Sequence, residues 1–112
     1  MKKFEESIAW QKGKVLAVAV YRQLADCRDF GFRDQIQRAA VSVPSNIAEG
    51  FERNTDKELR QYLYISKGSC GEVRSLLAIG LELGYFDAAT YKSLNKLAED
   101  VSKLLAGFIR KL

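Results

Sequence analysis

The stretch DQIQRAAVSVPSNIAEGFER, residues 34–53, carries three faces at helical spacing and the chain's one proline. At about 100° per residue, Ile36, Ala40, Val43, Ile47 and Phe51 fall on a narrow apolar stripe. Gln35, Arg38, Ser42, Asn46, Glu49 and Arg53 fall roughly opposite, and Val41, Pro44 and Ala48 add a smaller apolar strip on one flank. A surface helix needs only one apolar face and a solvated back. The extra strip and the uncharged Ser42/Asn46 pair therefore imply a helix covered on more than one side. Pro44 has no N–H, and its ring crowds the carbonyl of Ala40, so a kink or short break is expected over Ala40–Val43. The stripe keeps its phase across Pro44, which argues for one bent helix.

Upstream, Ser7 to Arg28 reads as a helix. Ile8, Val15, Leu16, Ala19, Val20, Leu24 and Cys27 recur at helical spacing, and Val18 and Tyr21 widen the apolar zone. Ser7 suits the N-cap and Phe4 can staple the start. The run Asp29–Phe32 predicts a turn, with Gly31 in the left-handed conformation that ends helices.

Downstream, Thr55 and Glu58 form a capping box. The third helix follows, with Leu59, Tyr62, Leu63, Ser66, Cys70, Val73, Leu76, Leu77 and Gly80 at core spacing. Gly68, Ser69 and Gly71 interrupt its middle. An interior glycine costs about 1 kcal/mol relative to alanine, so the cluster reads as a place where another helix comes close. Gly84 is the helix stop, and Asp87 caps a fourth helix. Its apolar set is Tyr91, Leu94, Leu97, Ala98, Val101, Leu104, Leu105, Phe108 and Leu112, with Lys92, Lys96, Glu99, Asp100, Lys103 and Lys111 mostly outside it. Helices near 7–28, 33–53, 56–83 and 88–111, joined by short loops, predict an all-α, up-down-up-down antiparallel four-helix bundle, one domain over 1–112.

Composition narrows the function classes. The chain has 18 Lys and Arg against 14 Asp and Glu, a net charge of +4, which is compatible with a nucleic-acid partner. There is no histidine, which removes the commonest general base and metal ligand. Cys27 and Cys70 belong to no CxxC motif and read as reduced, buried thiols of a cytoplasmic protein. These features point to no metal, no cofactor and no enzyme. The stretch MKKFEESIAW lacks the apolar core of a signal sequence, and no run is long and apolar enough to span a membrane.

Binding is the better class. Arg38, Arg53, Arg60, Lys67 and Arg74 are spread along the second and third helices, with Gln35, Asn46 and Ser69 between them. Such groups contact phosphates and sugars without reading sequence. Val18, Tyr21, Val41, Ala48, Tyr64 and Ile65 lie off the core stripes of their helices and are the candidate interface of a homo-oligomer. The rival expectation is a protein-interaction or structural module with a protein partner and no affinity for RNA or DNA.

IAWQK, the 34–53 stretch, YLYISKGSCGEVRSLL and LELGYF, taken together, resemble the proteins encoded by intervening sequences within bacterial 23S ribosomal RNA genes, formerly labelled an S23 ribosomal protein family. The resemblance covers nearly the whole chain, with SNIAEG from Ser45 to Gly50 as its most specific part. It extends to the accessory variability protein of diversity-generating retroelements. It implies small up-down bundles, five-subunit rings in some members, and, among the retroelement relatives, nucleic-acid binding through a basic surface. The family motifs fall on Gln35, Arg38, Ser42, Asn46, Glu49 and Gly50, and on Gly68, Ser69 and Glu72, as ligand contacts or as a lock between two helices.

Overall fold

The structure, a computed structural model, describes residues 3–112. Met1 and Lys2, part of the stretch read as no signal sequence, lie outside the described residues. A short 3-10 turn, Phe4–Glu6, leads into α1 (Ile8–Gln23), α2 (Phe30–Phe51), α3 (Asp56–Glu82) and α4 (Ala88–Lys111). The bundle measures 43 × 21 × 19 Å. α1 packs on α2 and α4, and α3 packs on α2 and α4, leaving α1 and α3 on opposite corners.

The contacts fix the directions. Gly13 faces Val43 and Pro44, while Tyr21 shares a groove with Gln37 and Arg38, so α1 and α2 are antiparallel. Ser42 meets Ser69 and Gly50 meets Tyr62, so α2 and α3 are antiparallel. Arg74 reaches Glu99, and Lys67 shares a groove with Lys103 and Ala106, so α3 and α4 are antiparallel as well. The topology is up-down-up-down.

Local chemistry sets the ends. Ser7 accepts the Trp10 N–H, and Phe4 packs edge-on against Trp10 with ring centroids 5.0 Å apart. The Thr55 hydroxyl accepts the Glu58 N–H and donates to the Glu58 carboxylate, so the expected box closes through the two side chains. Gly84 has φ 76°, and the N–H groups of Gly84 and Tyr85 bond the carbonyls of Leu81 and Gly80. This is the double closure that needs a residue free of Cβ crowding.

Five sequence expectations are corrected. α1 ends at Gln23, and α2 begins at Phe30, earlier than 33. The Asp29 carboxylate caps α2 by accepting the Phe32 N–H, so Gly31 lies in the first helical turn and ends nothing. Leu16, Val20 and Leu24 are buried as expected, but Ile8 and Val15 are 59% and 50% exposed, and Ala9, Gly13 and Ala17 complete the inner face of α1. Cys27 is only half-buried, whereas Cys70 is fully buried; both thiols are free.

The core has two layers. Leu16, Val20, Leu24, Ile36, Leu77 and Leu94 lead the one beside the α1–α2 and α3–α4 loops. Val43, Ile47, Leu63, Cys70, Val101 and Leu105 lead the other. The two loops are tied by the Tyr85 hydroxyl, which donates to Asp29 at 2.6 Å. That bond, with the Phe32 N–H, holds the Asp29 carboxyl below its ordinary range and lifts Tyr85 to about 12.

Candidate nucleic-acid interface

α2 runs unbroken through Pro44, so the short break considered over Ala40–Val43 is absent. Pro44 is buried against Gly13 of α1, where a Cβ would stand 3.2 Å from Val43 and 3.6 Å from Pro44. On the other flank, Ser66 of α3 donates to the Val43 carbonyl at 2.7 Å. Asn46 donates to the Ser42 carbonyl and hydroxyl, both at 2.8 Å, and the Ser42 and Ser69 hydroxyls are 2.8 Å apart. The three faces of α2 are thus a core stripe, an α1 contact at Pro44, and a hydrogen-bonded seam with α3.

Four of the nine motif residues, Ser42, Asn46, Gly50 and Ser69, have structural work in this seam. The Ser42–Ser69 bond ties α2 to α3, and Asn46 braces it from within α2 by donating to Ser42. Gly50 is buried where a Cβ would lie 2.9 Å from the Tyr62 Cβ. Glu49 sits 3.9 Å from Arg53 on the surface. Gln35, Arg38, Ser42 and Glu72 line an open cleft of about 550 Å³ with Asp34. Among the described residues, no buried side-chain polar atom lacks a hydrogen-bond partner. The close helix approach expected at Gly68 and Gly71 is not made among the described residues: a Cβ at either position meets nothing within 4 Å.

The candidate cations divide. Arg60, Lys67 and Arg74 recur every seven residues on the side of α3 that faces α4. Arg38 lies on α2 in a groove with Tyr21 and Val41. Arg53 ends beyond α2, stacked on the Tyr62 ring and donating to the Tyr62 hydroxyl. These two do not join the α3 row.

A second row goes unnoticed in the sequence reading. Lys96, Lys103 and Arg110 recur every seven residues along α4, and Lys67, Arg74 and Lys103 line one groove. The signal was the shared spacing; what was missing was the knowledge that α3 and α4 are neighbours. Along these rows stand six cations and two carboxylates, Glu99 and Asp100. Arg74 lies 3.6 Å from Glu99 and Lys96 lies 2.9 Å from Asp100. Among the described residues, no carboxylate pairs with Arg60, Lys67, Lys103 or Arg110.

The bond between Lys96 and Asp100 raises the lysine and lowers the carboxyl, so both stay charged at neutral pH. Beneath the α3 row, burial pushes the Cys70 thiol up to about 11 despite the opposing pull of Lys67 and Arg74. That thiol is therefore protonated and unreactive at neutral pH. Among the described residues, no cluster of His, Cys, Asp or Glu is arranged to hold a metal, and no helix is long and apolar enough to cross a membrane.

Fold and surface together define a class: a small antiparallel four-helix bundle with a polar α2–α3 seam and a basic α3–α4 face. Residues 5–107 match the 23S rRNA-intervening sequence protein family, and the chain belongs to that family. A solved structure from Bacteroides thetaiotaomicron, described as a protein of unknown function from the S23 ribosomal protein family, has the same fold. Its TM-score is 0.86 at 24% identity, covering 91% of this chain and 98% of that one. No curated protein matches the chain.

Proposed function

We propose that this protein is a non-enzymatic cytoplasmic bundle that self-associates and holds RNA or DNA by its phosphate backbone, with low sequence specificity. The observation that supports the reading is the pair of cation rows on α3 and α4. Among the described residues, four of their six cations have no carboxylate partner. Cations in this arrangement neutralise phosphates and release counterions, which favours binding irrespective of base sequence.

Self-association is supported by apolar side chains left in solvent. Val18, Tyr21, Val41, Tyr64 and Ile65 are all exposed, while Ala48 is half-buried. The same exposure favours a second reading, a protein-interaction module with no nucleic-acid affinity. Anisotropy titrations with labelled RNA hairpins and DNA duplexes of unrelated sequence separate the two. The first reading expects dissociation constants of about 1–100 μM at physiological salt, typical of non-specific binding. Absence of binding even at low salt leaves the second.

A further inference from the structure

We infer that the outer face of α1 in one copy docks on the outer face of α3 in the next, in a head-to-tail contact. The inference deepens the self-association reading and rests on it. The α1 face presents Val15 and Val18, with Tyr21 on its flank, all exposed. Lys14 and Arg22 flank them, both exposed, and among the described residues neither has a carboxylate partner. The α3 face presents Ile65 and Ile79 on either side of Gly68 and Gly71. Its acidic groups, Glu72 and Glu82, likewise have no cation partner among the described residues.

Three observations select a second copy as the occupant. The faces are complementary: apolar with cations on α1, apolar with carboxylates on α3. A symmetric α1–α1 or α3–α3 contact sets like charges on facing surfaces, which costs affinity. The spacings also correspond. Lys14 and Arg22 are about 12 Å apart along α1, and Glu72 and Glu82 about 15 Å apart along α3, at ~1.5 Å per residue. α1 and α3 run parallel, so both pairs meet in the same order in side-by-side copies. Finally, Gly68 and Gly71 each cost about 1 kcal/mol in a helix interior, and nothing among the described residues uses the room they leave. A helix from another copy fills it.

Because α1 and α3 occupy opposite corners, one copy offers its α1 face on one side and its α3 face on the other. The contact can therefore repeat, closing into a ring or extending as a filament. Each added copy brings its own α3–α4 cation rows.

Sedimentation velocity of the full chain over a concentration series tests the contact. The wild-type chain is expected to form assemblies larger than a monomer. Lys14→Glu and Glu72→Lys are each expected to weaken assembly about tenfold or more. Combining both in one chain restores assembly to within about threefold, because the pair is re-formed with reversed sign. Both side chains are exposed, so circular dichroism should show unchanged helix content. An assembling wild type whose assembly ignores both single changes, or is not restored by the double change, overturns the α1–α3 contact alone. A wild type that stays monomeric at every concentration overturns self-association as well.

Discussion

With Lys67, Arg74 and Lys103 all changed to alanine, the protein is expected to bind structured RNA about 500-fold more weakly at ~0.1 M salt. Each phosphate contact contributes about 0.9 to the slope of log K against log salt. Extrapolated from ~1 M to ~0.1 M salt, that is about eightfold per contact, and three contacts multiply. The choice of residues follows from the groove: these three line it together, and among the described residues only Arg74 of the three has a carboxylate within 4 Å. Removing Arg74 also uncovers Glu99, whose charge then opposes a phosphate. The fold survives, because Arg74 and Lys103 are exposed and Lys67 is only half-buried. Changing Arg38 and Arg53 together is the control. Both lie off the two rows, and Arg53 is already held by Tyr62 and Glu49. A larger loss from this control than from the triple change moves the site to α2.

The largest stability effect is expected from Leu77→Ala, a loss of about 2–5 kcal/mol in unfolding free energy. Leu77 is fully buried on α3 in the layer that also contains Leu16, Val20, Ile36 and Leu94, so that layer draws on all four helices. Truncation removes the transfer free energy of the lost atoms and leaves a cavity that rigid helices close only in part. A domain of this size is stable by about 5–15 kcal/mol, so the loss is a large share of the total. Urea unfolding should show a lower midpoint with an unchanged slope, since the surface exposed on unfolding hardly changes. A loss under ~1 kcal/mol would mean that the layer is loosely packed at Leu77.

The parts of the fold legible in the sequence are those written as a single periodic stripe with a capping residue. α4 starts after Asp87 and α3 after Thr55, as the caps predict. α1 was legible through Leu16, Val20 and Leu24, which are buried as expected, but its first two turns were placed on the wrong face. Its inner face relies on Ala9, Gly13 and Ala17, which allow close packing yet carry little hydropathy, while Ile8 and Val15 point outward. The same physics hid the tight spots of the bundle. Gly13 and Gly50 sit where helices meet, and the conspicuous Gly68 and Gly71 face open space. The loop before α2 was misread because Asp29 competes with Gly31 for the role of boundary, and a side-chain cap places the boundary earlier.

The candidate site was half legible. Arg60, Lys67 and Arg74 were singled out, but Arg38 and Arg53 were grouped with them because a linear sequence does not say which helix faces which. Lys96 and Lys103 fall outside the apolar set of α4 and look like its solvated back, and Arg110 goes unremarked. Only the α3–α4 pairing turns that back into half of a charged face.

Central to this account is that the α3–α4 face binds phosphates. The most direct measurement is the affinity of the wild-type protein for one labelled RNA hairpin between ~50 and ~200 mM salt. Four to six engaged cations, at about 0.9 per contact, predict a log–log slope of about −3.6 to −5.4. A slope near zero, or no binding at the lowest salt, would contradict it.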